Sequence, residues 1–256
     1  SYMFSQYEGV SSRYRATFGD AVVDFEAYYG GYKDNLISSG IDVEVEVDEL
    51  YGGVIEVNYG GFQLRTATIK GPKVETSIDE IAPLIQGLKA AGFDDISERF
   101  EINDSASAFL LGASYDTLNW YLSGEWMKVS SDIDVLANLE SFYVSYGYYC
   151  ESVLFHITYA ALNQSINTVE NTIPVGVTPA LDQLYYAVEE LNSYFPTDDL
   201  DTWTLGARWD VKTNVALKAE VSFLDGKEGK TSFFVVDDQR FDRNATLYQV
   251  ALEWVF

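Results

Sequence analysis

The chain has 256 residues, 40 of them acidic and 16 basic, which gives a formal charge of −24 at pH 7. So few basic side chains exclude a nucleic-acid-binding protein, because phosphate neutralisation requires Lys and Arg. An aromatic content of 15% excludes an acidic disordered chain. The single cysteine, Cys150, excludes a disulfide-linked scaffold. The class of protein must therefore account for both the acidity and the large aromatic surface.

The N-terminal residues contain no basic segment followed by an apolar one, which is the pattern of a secretion signal. The chain also has no run of 18 apolar residues, and this excludes a transmembrane helix. We therefore expect either a protein that stays where it is made or a mature chain whose export signal has been removed.

Apolar and polar residues alternate along nearly the whole chain, and this period of two predicts β-strands. Eleven strands are predicted, near 11–19, 21–31, 41–59, 62–69, 104–115, 118–129, 138–148, 152–162, 203–210, 215–223 and 246–256. Short turns are predicted near 19–20, 60–61, 116–117, 149–151 and 211–214. Longer connections are predicted at 32–40, 70–103, 130–137, 163–199 and 225–242. Short connections on one rim and long ones on the other are typical of an up-and-down barrel in an outer membrane.

The two faces of the predicted strands differ in polarity. A packed protein interior cannot hold so many charged groups, because each unpaired buried ion costs several kcal/mol. The charged face therefore lies on a solvated outer surface or around a water-filled lumen. The aromatic residues near the strand ends favour the lumen, since Trp and Tyr concentrate at the two membrane interfaces.

Each face supplies a set of candidate functional residues. The predicted pore-lining residues are Arg13, Arg15, Asp24, Glu26, Asp42, Glu44, Glu46, Glu56, Arg65, Glu125, Arg208, Lys218 and Glu220. The predicted membrane-interface aromatic residues are Trp120, Trp126, Trp203, Trp209, Tyr248, Trp254 and Phe256.

The last predicted strand carries the most specific pattern in the chain. One of its faces reads Tyr248-x-Val250-x-Leu252-x-Trp254-x-Phe256. This pattern resembles the C-terminal strand of Gram-negative outer-membrane proteins, whose terminal Phe belongs to the barrel-assembly signal. Hairpins near 7–30 and 206–220 resemble those of the general diffusion porins.

The resemblance to porins implies a fold and a function. It implies passive diffusion of ions and small hydrophilic solutes through a water-filled channel in the bacterial outer membrane, with no enzymatic activity. It also implies a homotrimer surrounded by outer-membrane lipid and lipopolysaccharide. A plugged barrel with a structural or adhesive role is the alternative, followed by an outer-membrane hydrolase.

The fold class is therefore an all-β, antiparallel, up-and-down transmembrane β-barrel that forms a single domain over 1–256, but its strand number has two solutions. Single-chain bacterial barrels have even strand numbers. Residues 1–8 can supply a twelfth strand. Alternatively, the porin resemblance makes 11–19 the sixth of sixteen strands, with five N-terminal strands absent from this chain, and we favour this solution.

Two of the longer connections have helical rather than strand periodicity, near 77–91 and 179–194. Ser77 and Glu80 fit a capping box, and Pro83 predicts that the first helix begins late or kinks. Each apolar stripe either packs within a cap at the barrel mouth or carries a helix into the lumen.

The charged residues predict how the channel treats ions. The acidic residues of 42–48 line either a solvated rim or a pore with a focused negative potential, and both alternatives predict a preference for cations. The basic residues are predicted to form an opposing wall: Arg13, Arg15, Arg65, Arg208 and Lys218.

Two further sites are weighed. Aspartates at 198–201 and 237–242 are candidates for loop-bound Ca²⁺ or for bridging lipopolysaccharide, but they lack EF-hand spacing, so we predict no other metal or cofactor. His156, the only histidine, has no nucleophile motif around it. We therefore predict that it lines the lumen and does not act in catalysis.

Overall fold

The computed structural model describes residues 8–38, 41–77, 81–100, 102–132, 138–166, 168–194, 197–227, 230 and 242–255. Within them, eleven antiparallel strands form one sheet in which every strand pairs with its neighbours in sequence. The strands are β1 Glu8–Phe18, β2 Ala21–Ser38, β3 Ile41–Tyr59, β4 Phe62–Ser77, β5 Ile102–Asp116, β6 Trp120–Ser131, β7 Asn138–Cys150, β8 Val153–Ser165, β9 Asp199–Lys212, β10 Val215–Gly226 and β11 Asn244–Trp254. The predicted all-β, up-and-down architecture is confirmed.

The described parts of the long connections contain three helices: α1 Ala82–Ala90, α2 Asp94–Phe100 and α3 Pro179–Tyr194. The first two follow β4, and the third lies between β8 and β9. None of the described helices is long and apolar enough to cross a lipid bilayer. Residues 1–7, on which the twelve-strand solution depends, lie outside the described residues.

The tight turns all join strands at one end of the sheet. Gly19 has a φ angle of 60°, and Gly60 and Gly61 have φ angles of 54° and 84°. Glycine adopts this left-handed conformation without a steric penalty, so two-residue turns can close these hairpins. At the opposite end, β2 and β4 extend further than predicted, through 32–38 and 70–77.

A β-bulge in β3 changes which face its residues occupy. Gly30 of β2 pairs with Leu50, but Tyr32 pairs with Val47, so β3 contains one extra residue there. As a result Val47 is only 1% exposed, whereas Tyr51 is 42% exposed. The prediction of one continuous apolar face over 41–59 is therefore wrong, because a period of two loses its register at a bulge.

A buried hydrophobic cluster lies between the helices and the sheet, at the end with long connections. Leu88 of α1 and Val188 of α3 are fully buried. They belong to the same cluster as Tyr32, Val47 and Leu50 of the sheet. We call the three helices together the helical bridge.

Gly52 of β3 permits a close approach between neighbouring strands. Tyr28 Oη donates a hydrogen bond of 3.0 Å to the Thr68 carbonyl oxygen. A Cβ atom at Gly52 would overlap that carbonyl oxygen and would lie 2.5 Å from Tyr28 Oη. Gly52→Ala is therefore expected to lower the free energy of unfolding by about 1–3 kcal/mol, measured by urea titration in detergent micelles.

Gly112→Ala is the matched control for this prediction. A Cβ atom at Gly112 would lie 3.5 Å from Glu125 Oε2, which is an ordinary van der Waals distance. Equal destabilisation by both substitutions would show that close packing at Gly52 is not the cause.

Candidate channel surface

Strand pairing brings charged residues into a continuous row on one face of the sheet. Arg15 pairs with Asp24, Asp24 with Glu56, and Glu56 with Arg65. Directly paired residues point to the same side of an antiparallel sheet, and we call this side the polar face. By the same register, it carries Arg13, Arg15, Asp24, Glu26, Glu56, Arg65, Glu125, Arg208, Lys218 and Glu220.

The first charge cluster lies on β1 and β2. Two of the three guanidinium nitrogens of Arg15 donate to the Asp24 carboxylate, Nε to Oδ1 at 2.8 Å and Nη2 to Oδ2 at 2.9 Å. Arg13 Nε lies 3.3 Å from the same carboxylate, whose side chain is only 7% exposed. The two arginine side chains remain mostly exposed. This face therefore presents two cations held by one largely covered anion.

Glu56 lies beside this cluster and accepts two amide hydrogen bonds. Asn58 Nδ2 lies 2.9 Å and Gln63 Nε2 lies 3.0 Å from its Oε1. These bonds hold the carboxylate in place next to Arg65, with which Glu56 pairs across β3 and β4.

A second charge cluster lies on β9 to β11. Arg208 Nη1 lies 3.0 Å from Glu253 Oε2, and Lys218 Nζ contacts the other oxygen of the same carboxylate. Arg208 Nε also lies 2.9 Å from Asp210 Oδ1. Four of the five basic residues predicted to form one wall therefore lie in two separate clusters, each around a shared carboxylate. The fifth, Arg65, lies beside Glu56 on β4.

Hydroxyl groups continue the polar face between the two clusters. Ser145 Oγ and Thr158 Oγ1 are 2.8 Å apart, and so are Thr204 Oγ1 and Ser222 Oγ. Nearby, His156 Nε2 lies 3.4 Å from Glu220 Oε1. Within the described part of the chain, His156 forms no hydrogen bond to a serine or cysteine.

Three of the predicted pore-lining residues, Asp42, Glu44 and Glu46, precede the bulge of β3. The extra residue at the bulge exchanges the faces on which the even- and odd-numbered residues of β3 lie. Glu46 pairs with Lys33, and its Oε2 lies 2.5 Å from Lys33 Nζ. Glu46 therefore lies on the opposite side from Glu56. The side chains of Asp42 and Glu44 lie outside the described part of the structure.

The opposite side of the sheet, which we call the apolar face, carries most of the large aromatic residues. Trp203 and Trp209 are about half exposed, and Tyr248 and Trp254 are more exposed still. Trp203 stacks near Tyr159, with ring centroids 4.8 Å apart. The same side carries Trp120 and Trp126, while Phe256 lies outside the described residues. So extensive an exposed apolar surface is compatible with lipid rather than with water.

The helical bridge packs against the polar face at the end of the sheet with long connections. Helix α3 follows β8 in sequence, yet Leu184 of α3 packs against Gly87 of α1, which follows β4. Strands β4 and β8 are four positions apart, roughly 19 Å at the usual strand spacing. A helix of 16 residues is about 24 Å long and can cover that distance. By register, Tyr32 and Leu50, which belong to the same hydrophobic cluster, lie on the polar face.

Polar contacts stabilise the connection that carries α3. Asn192 of α3 binds both backbone groups of Val169, with its Oδ1 3.1 Å from the amide nitrogen and its Nδ2 2.9 Å from the carbonyl oxygen. Asn171 Nδ2 donates to the Tyr185 carbonyl oxygen at 3.0 Å. The segment before α3 is therefore held against the helix along part of its length.

Comparison with protein-family models and with curated proteins finds no match for this chain. Solved structures do match. The anion-selective porin from Comamonas acidovorans is 15% identical to this chain, with a TM-score of 0.50. The match covers 92% of this chain and 59% of the porin chain. OmpF of Salmonella typhi, in complex with daunomycin, is 12% identical to this chain, with a TM-score of 0.50. The match covers 91% of this chain and 61% of the OmpF chain. The chain has the fold of an outer-membrane β-barrel.

This chain spans about three fifths of the length of those two porins. OmpT, an outer-membrane protein of Vibrio cholerae, matches with 11% identity and a TM-score of 0.49, over 95% of this chain and 63% of its own. The barrel fold and the exposed apolar face together locate the protein in the outer membrane.

Metal binding has no support within the described residues. They contain no group of three or more His, Cys, Asp or Glu side chains arranged to hold a metal ion. Asp237 and Asp238 lie outside those residues. Loop-bound Ca²⁺ therefore stays a prediction from the sequence.

Proposed function

We propose that this chain is the barrel-forming part of an outer-membrane porin that lets ions and small hydrophilic solutes diffuse passively through a water-filled lumen. The observation that carries the proposal is the charged row on the polar face, opposite a face of exposed aromatic side chains. Charged groups on one side and apolar groups on the other require water on the first side and lipid on the second. No chemical step is needed, so the proposal assigns no enzymatic role.

Electrostatics supports a channel that favours cations. The chain carries a formal charge of −24. On the polar face, Asp24 and Glu253 are each shared by two basic side chains, but Glu26, Glu125 and Glu220 have no Lys or Arg within ion-pair distance among the described residues. Fixed negative charges in a low-dielectric wall raise the local concentration of cations.

Planar-bilayer recording tests this proposal. The reconstituted protein is expected to give ohmic current steps with a reversal potential that indicates cation preference in a KCl gradient. Glu253→Gln removes the carboxylate shared by Arg208 and Lys218, so the reversal potential is expected to shift toward anions. Glu140→Gln, on the apolar face beside Trp126, is the matched control and should leave the reversal potential unchanged.

A plugged barrel with a structural or adhesive role is the second candidate. The helical bridge favours it, because the bridge covers part of the polar face. A folded, membrane-inserted protein that carries no current would support this candidate and contradict the porin. Homotrimer formation, which we propose from the sequence resemblance, is tested separately by crosslinking in native membranes.

A further inference from the structure

A cavity of about 290 Å³ opens on the polar face between β6 and β9. Its first wall is a row of paired residues: Glu125 pairs with Tyr143, Tyr143 with Ala160, and Ala160 with Thr202. The small side chain of Ala160 lies between two larger polar ones. The row therefore has a gap above Ala160, which a larger side chain would fill.

The second wall is the next row toward the long connections. Met127 pairs with Ser141, Ser141 with Leu162, and Leu162 with Leu200. Three of these four residues are apolar, and Ser141 leaves a second gap beside Ala160. The cavity thus has a polar wall that contains one carboxylate and an apolar wall of thioether and leucine side chains.

The carboxylate in this cavity is not neutralised by its surroundings. Glu125 forms no ion pair or hydrogen bond with any residue in the described part of the chain. It differs in this respect from Asp24 and Glu253, whose charges are balanced by bound arginine or lysine. A negative charge next to a phenol ring and an apolar wall attracts a cation that also carries an apolar group.

We propose that this cavity is a binding site for small organic cations that join an ammonium group to an apolar body. Glu125 receives the ammonium group, the Tyr143 ring lies beside it, and Met127, Leu162 and Leu200 contact the apolar part. The volume is at the lower limit for ligand pockets, which restricts the site to small molecules. The site rests on the proposed porin function, in which such cations pause during passage and reduce the current.

Benzylammonium is the probe, and benzyl alcohol is the uncharged probe of similar shape. Calorimetric titration of the complete protein in detergent micelles measures binding without requiring a current. Current reduction in a planar bilayer at low salt measures the same site in the channel. We expect benzylammonium to bind and to reduce the current, and benzyl alcohol to do neither at the same concentrations.

Three variants separate the site from general electrostatics. Glu125→Gln is expected to weaken benzylammonium binding about tenfold, because one charge-assisted hydrogen bond is lost. Ala160→Val fills the gap while keeping the carboxylate and should also weaken binding. Asp116→Asn removes a carboxylate from the polar face outside the cavity and should leave binding within about twofold of the unmodified protein.

The two proposals fail in different ways. If the protein carries no current but calorimetry shows binding that Glu125→Gln weakens, the porin function is wrong and the site stands. If the protein conducts but benzylammonium does not bind, the site is wrong. Equal weakening by Glu125→Gln and Asp116→Asn, or no effect of Ala160→Val, would also overturn the site.

Discussion

Replacing residues 168–193 with a short glycine–serine linker is expected to raise the single-channel conductance several-fold. The replaced segment contains most of α3, which follows β8 and packs with the helices that follow β4. Conductance depends on the water-filled cross-section along the ion path, and a helix with its side chains is about 10–12 Å wide. Removing it opens the region that the helical bridge occupies.

Two point substitutions separate obstruction by the helical bridge from other effects of the deletion. Leu88 is fully buried between the helices and the sheet, so Leu88→Ala is expected to weaken docking of the bridge by about 2–5 kcal/mol and to produce noisier, larger currents. Tyr186 of α3 is 62% exposed, and Tyr186→Ala should not change the current. Unchanged conductance after the deletion, with folding intact, would place the helical bridge outside the ion path.

The sequence was sufficient to predict the strands, but the predicted basic wall missed a local pairing of charges that the short turns specify. Alternation from Trp203 to Trp209 marks a two-faced strand without any tertiary information. A two-residue turn also fixes the register of a hairpin, so the turn at 19–20 places Arg15 opposite Asp24, and the turn at 60–61 places Glu56 opposite Arg65. These pairs depend only on residues that are close in sequence.

Features that join distant segments could not be predicted in this way. Asp24 meets Glu56 across a long hairpin that contains a bulge, and the bulge leaves no signal in hydrophobic periodicity because Val45 and Val47 continue the alternation. The helical stripes at Leu88 and Val188 indicate two buried helix faces, but periodicity does not specify what covers them. Contact between α1 and α3 depends on the curvature of the whole sheet, which brings the connection after β8 near the one after β4.

Adjacent residues in β6 test which face of the sheet contacts lipid. Leu122 lies on the apolar face between Trp120 and Trp126, whereas Ser123 lies on the polar face. Leu122→Arg is expected to lower the free energy of unfolding from lipid vesicles by about 2 kcal/mol, because an arginine facing lipid costs about 2–4 kcal/mol at the bilayer midplane and less near its interfaces. Urea titration followed by tryptophan fluorescence measures the loss.

Ser123→Arg introduces the same side chain one residue away and is the matched control. Its guanidinium faces water in the lumen, so stability should change little while the reversal potential shifts toward anions. If Ser123→Arg were the more destabilising substitution, the lipid and water sides of the sheet would be exchanged. The charged row from Arg15 to Arg65 would then face lipid instead of a water-filled lumen. That result would exclude both the channel and the organic-cation site.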